Sequence, residues 1–210
     1  MRSVPPPLIR ELVVEQRDRL GEFVETLGDA EWDHPSLCTE WRVRDVVAHC
    51  VQSHVATPRR LAAEMISARL RLAVRNERWV AARRHRDRST VLAEYRATTR
   101  RLAVPAAELR YALIEVVIHG YDIAWPLNRT IEVPAAGLVL VADTCRRTGL
   151  FLGARQRCAG LALRANDVDW SAGSGPEVAG PLASIVMAIM GRPSGLDGLT
   201  GPGLARLRAA

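Results

Sequence analysis

Glu115 and His119 stand four residues apart in the apolar stretch Tyr111–Leu127, YALIEVVIHGYDIAWPL. On an α-helix this spacing places both side chains on one face, one turn apart. Apolar residues surround the pair, so we expect the helix to be buried. A carboxylate and an imidazole in a protein core are costly unless something pairs with them. A metal ion is one such partner, and a direct hydrogen bond between Glu115 and His119 is the simpler alternative.

A metal site would need a further ligand from another helix, and the other four histidines are the candidates. His34 and His85 lie in expected loops near charged residues, which makes them weaker candidates. His49 and His54 are five residues apart, about 140° around a helix, so they cannot both face one site. His54 continues an apolar stripe, whereas His49 follows Asp45 by one turn, and this carboxylate could hold a ring N–H. The residues alone leave the choice open.

Four amphipathic helices are expected to position these side chains. Their limits are indicated by prolines, a glycine and an N-capping serine: Pro5–Pro7 to Gly28, Val43 towards Met65, Ser89 to Leu102, and Pro105 to Pro126. Helices of this kind joined by modest loops predict a four-helix bundle.

The pattern changes after residue 129. Leu161–Trp170, LALRANDVDW, alternates in the manner of a strand and is followed by the turn-rich sequence SAGSGPE, and Pro181–Met190 could be a helix. The predicted fold class is therefore mainly α with a small α+β part. Residues 1–129 are expected to form the four-helix bundle and residues 130–210 a small C-terminal α+β domain.

The charge of the chain is concentrated in one segment. All 29 basic residues are arginine, and the eight between Arg69 and Arg88 outweigh Glu77 and Asp87 by the same +6 as in the whole chain. The segment could be a solvated surface, hold an acidic substrate or bind nucleic acid. No interleaved aromatic residues accompany the charge, so nucleic acid is the weakest of the three interpretations.

The cysteines and the N-terminal sequence indicate a cytoplasmic protein. Cys38, Cys50, Cys145 and Cys158 form no C-x-x-C pair and are interpreted as small core residues with reduced thiols. The start MRSVPPPLIRELVV interrupts its apolar residues with prolines and charges, unlike a signal peptide. No uncharged stretch is long enough to cross a bilayer, so no membrane partner is expected.

Two motifs resemble those of a known family. Thr39–Cys50, TEWRVRDVVAHC, contains W-x-V-x-D-V-x-x-H, and Leu113–Leu127 contains E-x-x-x-H-G-x-D-[IL]-A. Together they resemble the mycothiol-dependent maleylpyruvate isomerase family, which belongs to the DinB-like metal-binding four-helix bundles. The later sequence RANDVDWSAGSGPEVAGPLASIVMAIMGRP resembles the C-terminal domain of that family. The resemblance implies a DinB-like bundle over residues 1–129, followed by this domain.

The resemblance implies that His49, Glu115 and His119 bind a divalent metal, zinc being the usual one. Two imidazoles and one carboxylate leave an open coordination position, as in catalytic zinc sites. The thiol of mycothiol could take that position as a thiolate. Asp45 and Asp122 are expected to orient the ligand side chains without binding the metal themselves, although a salt bridge is an equally good interpretation of Asp122. The carboxylate ligand leaves nickel, iron and manganese as alternatives to zinc.

Other residues are assigned weaker roles in binding substrate or cofactor. Trp41 and Trp125 flank the two motifs and could line a pocket, although core packing is the better interpretation of both. Arg42 replaces the Ser or Thr that usually caps the second helix in the family, and Arg192 follows a glycine turn and could meet a carboxylate.

The function predicted from these features is a metal-dependent isomerase or thiol S-transferase that uses mycothiol on a small electrophilic substrate. The alternative is a metal- or ligand-binding module of the same bundle type without catalysis. Association with nucleic acid through the basic segment ranks last.

Overall fold

The computed structural model describes residues 4–52, 58–100, 102, 104–147 and 153–210. The chain forms two compact units, Met1–Glu132 and Val133–Ala210. His54, one of the candidate ligands, lies outside the described residues. Among the helices of the described residues, none has the combination of length and apolar character that crossing a bilayer requires.

Over its described residues, the N-terminal unit is a four-helix bundle with three additional helices. In order, its helices are α1 (Pro6–Glu25), α2 (Asp29–Trp32), α3 (Val43–Gln52), α4 (Pro58–Ser67), α5 (Leu72–Ala81), α6 (Arg88–Arg100) and α7 (Leu109–Ala124). Helices α1 and α3 each pack against both α6 and α7, so these four close a ring around one core. The predicted mainly α fold with a four-helix bundle is confirmed.

Prolines start the helices much as the sequence indicates. Helix α1 begins at Pro6, where a missing backbone N–H costs nothing. Pro105 precedes a 3₁₀ turn, Ala106–Glu108, that leads into α7. Helix α6 begins at Arg88, so Ser89 lies inside the first turn instead of capping it.

A buried arginine joins three helices in the bundle core. The Arg17 guanidinium on α1 donates to the Thr98 and Thr99 hydroxyls on α6 and to the Cys50 carbonyl on α3. The Tyr95 hydroxyl donates in return to the Arg17 carbonyl. These bonds allow a charged side chain to be fully buried, because buried polar groups are stable only when they are paired.

The C-terminal unit is a small α+β domain. Its elements are α8 (Ala135–Cys145), α9 (Ala154–Arg157), β1 (Ala162–Ala165), β2 (Ser171–Gly173), β3 (Glu177–Gly180), α10 (Leu182–Ile189) and α11 (Leu204–Arg208). Strand β1 lies in the middle of the sheet, antiparallel to β2 and parallel to β3. The predicted strand Leu161–Trp170 therefore ends early, and a second strand occupies part of the predicted turn.

Helix α10 covers the sheet and completes the second core. It packs against β1, β3 and α8, and the 3₁₀ segment Pro193–Gly198 lies along it. Gly195 permits that close approach, because a Cβ atom there would lie 2.4 Å from the Ala188 nitrogen.

Candidate functional site

Helices α3 and α7 bring two predicted metal ligands together in the bundle. The rings of His49 and His119 meet edge to face, with their centroids 5.0 Å apart and their planes at 89°. His49 is 8% exposed, and the Trp41 ring lies 5.0 Å from it at 50°. Trp41 thus packs against His49 from the loop that precedes α3.

Glu115 lies on the same face of α7 as His119, one turn earlier. It is half-buried. Burial is the main cause that raises the pKa of the Cys50 thiol on α3, and the charge of Glu115 is the next. The carboxylate of Glu115 therefore acts on groups inside the bundle.

Two further side chains, Asp122 and Cys38, contact His119 at Nδ1. Asp122 is fully buried, and its Oδ2 lies 3.0 Å from His119 Nδ1. The Cys38 thiol donates to the same oxygen over 3.1 Å, and its sulfur lies 3.7 Å from Nδ1. One ligand atom from each of the three residues lies within 4.8 Å of the others, so this group could itself hold a metal ion.

The interpretation of Cys38 as a small core residue missed this contact. Cys38 and Asp122 are 84 residues apart in the chain. The available signal was that Cys38 immediately precedes the first motif, whereas Asp122 belongs to the second.

The loop that carries Cys38 and Trp41 is a narrow turn. Its ends pair through a bridge between Pro35 and Arg42. The Ser36 backbone N–H and hydroxyl both donate to the Trp41 carbonyl, over 2.9 and 2.8 Å. The Cys38 N–H donates to the Ser36 hydroxyl over 3.1 Å. Hydrogen bonds within the loop therefore fix the backbone at Cys38 and at Trp41, and the indole N–H donates to Glu77 over 2.8 Å.

The loop is also bound to the end of α7 through a backbone hydrogen bond. The N–H of Leu37 donates to the Asp122 carbonyl over 3.0 Å. In a continuing helix the N–H of residue 126 would take that carbonyl, but residue 126 is proline and has no N–H. Pro126 thus leaves the Asp122 carbonyl without a donor from its own helix, and Leu37 of the loop donates to it.

The two histidines have opposite electrostatic environments. Burial and the neighbouring His119 lower the pKa of His49 to about 3. Burial also disfavours the charged form of His119, but the hydrogen bonds to Asp122 and Cys38 outweigh it and raise its pKa to about 10. At neutral pH the ring of His49 is therefore neutral and the ring of His119 is charged.

Asp45 lies at the start of α3, with both carboxylate oxygens engaged. Oδ2 accepts the Arg42 N–H over 3.0 Å, and Oδ1 lies 3.5 Å from Arg84 Nε. A carboxylate at the third helical residue that reaches back to the N-cap N–H is one half of a capping box. Asp45 thereby stabilises the helix start despite the arginine at position 42. Orientation of His49 by Asp45 stays a prediction.

The remaining predicted site residues have other contacts. The Arg42 side chain is exposed and pairs with Asp33 at 3.7 Å. The Trp125 ring packs 5.3 Å from the ring of Tyr121. Arg192 belongs to the C-terminal unit and donates to the Met190 carbonyl over 3.1 Å. Substrate binding by Arg42, Trp125 and Arg192 stays a prediction.

Comparisons with known proteins agree with the fold and with the resemblance in the motifs. Residues 13–112 match the family model described as the mycothiol maleylpyruvate isomerase N-terminal domain. The match includes His49 and ends before Glu115. A crystal structure of the mycothiol-dependent maleylpyruvate isomerase has a TM-score of 0.67 to this chain, at 20% identity over 96% of both chains. A variant of that enzyme, with alanine in place of a histidine, has a TM-score of 0.69 at the same identity and coverage. The comparison with curated proteins finds no match.

Proposed function

Because residues 13–112 match the model of the mycothiol maleylpyruvate isomerase N-terminal domain, we propose that this protein is a metal-dependent enzyme that uses mycothiol. Its substrate would be a small electrophile. The observation that carries the proposal is the edge contact between His49 and His119 inside the bundle, with Glu115 one turn from His119. These are the residue types that a catalytic metal site needs, supplied by two neighbouring helices.

The donor set fits a divalent metal with an open coordination position. His49, Glu115 and His119 would be the ligands, and two imidazoles with one carboxylate suit zinc. Bound there, the metal would supply a Lewis acid that keeps the mycothiol thiol deprotonated at neutral pH. His49 is already neutral at that pH, so a ring nitrogen can bind without losing a proton first. Trp41 covers His49 and limits the access of water to it.

Thiol addition accounts for both reactions that the resemblance implies. The thiolate of mycothiol forms a C–S bond to an activated C=C carbon, and the π electrons move onto the conjugated carbonyl. Rotation about the resulting single bond, followed by C–S cleavage, returns the thiolate and gives the geometric isomer. Protonation of the adduct would instead give a thioether as the product of a transferase. A cytoplasmic location is expected, because the reaction requires reduced thiol.

Metal analysis of purified variants tests the proposed ligands. We expect His49→Ala, Glu115→Ala and His119→Ala each to lose most of the bound metal, because two ligands rarely hold zinc in a protein site. The matched control is His85→Ala, which removes an exposed histidine and should retain the metal. Full metal content in all three ligand variants would refute the assignment.

Assays with mycothiol distinguish the reaction types. Maleylpyruvate is the first substrate to test, since the enzyme of similar fold is named after it. An isomerase should convert it without net consumption of thiol, whereas a transferase should consume one thiol per electrophile. Bound metal without turnover across a broad panel of electrophiles would instead support a non-catalytic binding module.

A further inference from the structure

We propose that Cys38 is a positioning residue, which acts through Asp122 to hold the His119 ring for metal binding. This inference rests on the proposed function, because it assigns His119 as a metal ligand. The buried carboxylate of Asp122 contacts two side chains at once through Oδ2, over 3.0 Å to His119 Nδ1 and 3.1 Å to Cys38 Sγ.

The contact with Asp122 determines which nitrogen of His119 remains for the metal. An N–H on Nδ1 donates to the carboxylate, so Nε2 is the nitrogen that can bind an ion, once it has lost the proton that the charged ring carries there. A carboxylate behind a histidine ligand in this way fixes the orientation and raises the basicity of the ring. Asp122 is fully buried, so no bulk water competes for the oxygen that receives this bond.

The thiol of Cys38 keeps that carboxylate in place. An S–H donor is weak, but here its acceptor is a charged carboxylate, which strengthens the bond. The loop holds the sulfur at this position through the Ser36 hydroxyl and through the bond from Leu37 to the Asp122 backbone. Asp122 is thus held by the same loop at its side chain and at its carbonyl. A rotation of its carboxylate would break the bond to Cys38 as well as the bond to His119.

The geometry favours a positioning role for Cys38 over direct metal binding. Ligation by Cys38, His119 and Asp122 together would require Nδ1 and Oδ2 to exchange their mutual hydrogen bond for bonds to the ion. That site would also leave out His49, whose ring lies against the ring of His119. If His119 bound a metal through Nε2, the hydrogen bonds of Asp122 would stay intact and His49 could be a ligand as well.

Cobalt titration of the full-length protein tests the inference without an activity assay. We expect Cys38→Ala to bind Co²⁺ and Zn²⁺ about tenfold more weakly, the lower end of the effect of removing support behind a ligand. Cys38→Ser keeps a hydroxyl donor and should recover most of the affinity. Cys158→Ala, in the C-terminal unit, is the matched control and should bind like wild type. Without mycothiol, the Co²⁺ spectrum of wild type should show no sulfur-to-cobalt charge-transfer band.

Three outcomes would overturn the positioning role. Equal affinities for wild type and Cys38→Ala would show that the thiol does not support the ligand. A charge-transfer band that disappears in Cys38→Ala would make Cys38 a ligand itself. A Cys38→Ser variant as weak as Cys38→Ala would show that the donor bond is not what matters.

Two further measurements separate this inference from folding and from the proposed function. Thermal midpoints of the metal-free variants identify any loss of affinity that comes from unfolding, and Cys38→Val replaces Cys38→Ala if the latter does not fold. Wild-type protein that binds no metal would refute the proposed function. Metal binding that is indifferent to Cys38 would refute only the inference.

Discussion

Tyr95 makes the folded protein sensitive to alkaline pH. Its hydroxyl is buried and donates to the Arg17 carbonyl over 2.9 Å, and burial raises its pKa well above the usual value. An unfolded tyrosine ionises near pH 10, so the stability that neutral Tyr95 contributes is complete below that pH and is lost above it. We expect the titration of Tyr95 to lower the free energy of unfolding by up to about 1.4 kcal/mol per pH unit above pH 10.

Urea unfolding at a series of alkaline pH values measures this effect. Tyr95→Phe should be less stable at neutral pH, because it loses the hydrogen bond, but its stability should fall less steeply with rising pH. Tyr111→Phe removes a tyrosine that is 48% exposed and should keep the slope of wild type. Parallel pH profiles for Tyr95→Phe and wild type would contradict the prediction.

The four thiols should differ in their reactivity towards alkylating reagents. Cys50 and Cys145 are fully buried, and burial raises the pKa of both thiols, that of Cys145 to about 12. Cys38 and Cys158 are partly exposed. Because the thiolate is the reactive form, we expect native protein to label at Cys38 and Cys158 well before the other two. Peptide mass spectrometry after brief alkylation measures the order, and rapid labelling of Cys145 in folded protein would contradict it.

At the residue scale, the sequence predicted which side chains share a helix face. Glu115 and His119 share a face because they are four residues apart, and this holds in any α-helix. The contact between Cys38 and Asp122 could not be predicted in this way. It depends on the path of a ten-residue loop and on an acceptor left vacant by Pro126, neither of which produces a periodic pattern.

Arg17 stabilises the bundle at the scale of its helices. Its guanidinium joins α1 to α3 and α6 through three hydrogen bonds, and it lies 4.5 Å from the centroid of the Tyr95 ring. Replacement with methionine would leave the Cys50 carbonyl and two hydroxyls without this donor in the core. We expect Arg17→Met to lower the free energy of unfolding by about 3 kcal/mol.

Chemical denaturation compares this variant with one at the bundle surface. Arg19 lies two residues after Arg17 on α1, but its side chain is partly exposed and pairs with Glu15 and Glu132. Exposed ion pairs contribute little to stability, so Arg19→Met should unfold at nearly the midpoint of wild type. Similar losses for the two variants would contradict a special role for the buried arginine.

Secondary structure could be predicted from the sequence where the apolar residues recur with a helical period over a long segment. The bundle helices follow from apolar stripes and prolines, because burial of one face stabilises them whatever their loops do. Strand β2 was missed, since Ser171–Gly173 has no alternation to detect and is a strand only because β1 pairs with it. Its neighbour β1 is correspondingly shorter than its sequence pattern.

At the scale of the whole molecule, the basic segment is largely neutralised by ion pairs within the bundle. Acidic partners of its arginines include Glu64 with Arg75, Asp45 and Glu77 with Arg84, Glu94 with Arg83 and Arg86, and Asp29 with Arg88. Because each of these arginines already has an acidic neighbour, fewer charges are available for phosphate groups.

We therefore expect no measurable binding of duplex DNA at about 0.15 M salt, where nonspecific protein–DNA affinity is weak. Fluorescence anisotropy with a labelled duplex over a series of salt concentrations measures this. The variant Arg83→Ala/Arg84→Ala/Arg86→Ala is the control and should give the same baseline. Tight, strongly salt-dependent binding that the triple variant abolishes would restore the nucleic-acid hypothesis.

The division of the chain follows contacts that composition does not reveal. The sequence pattern changes after residue 129, whereas the first compact unit extends to Glu132. Gln16 donates to the Glu132 carbonyl over 3.3 Å, and Arg19 pairs with its carboxylate at 2.6 Å. Ile131 packs against Gly120 on α7. Ile131 and Glu132 therefore belong to the bundle because of their partners on α1 and α7.

Pro126 has a consequence for substitutions remote from the chemistry. The Asp122 carbonyl can accept the N–H of Leu37 partly because position 126 offers no competing donor. An alanine at 126 would introduce a second amide for the same oxygen, and one further turn of helix would compete with the loop. The segment that carries Cys38 and Trp41 would then lose its backbone hydrogen bond to α7. Because Pro126 has no N–H, the Asp122 carbonyl at the end of α7 remains available to the N–H of Leu37.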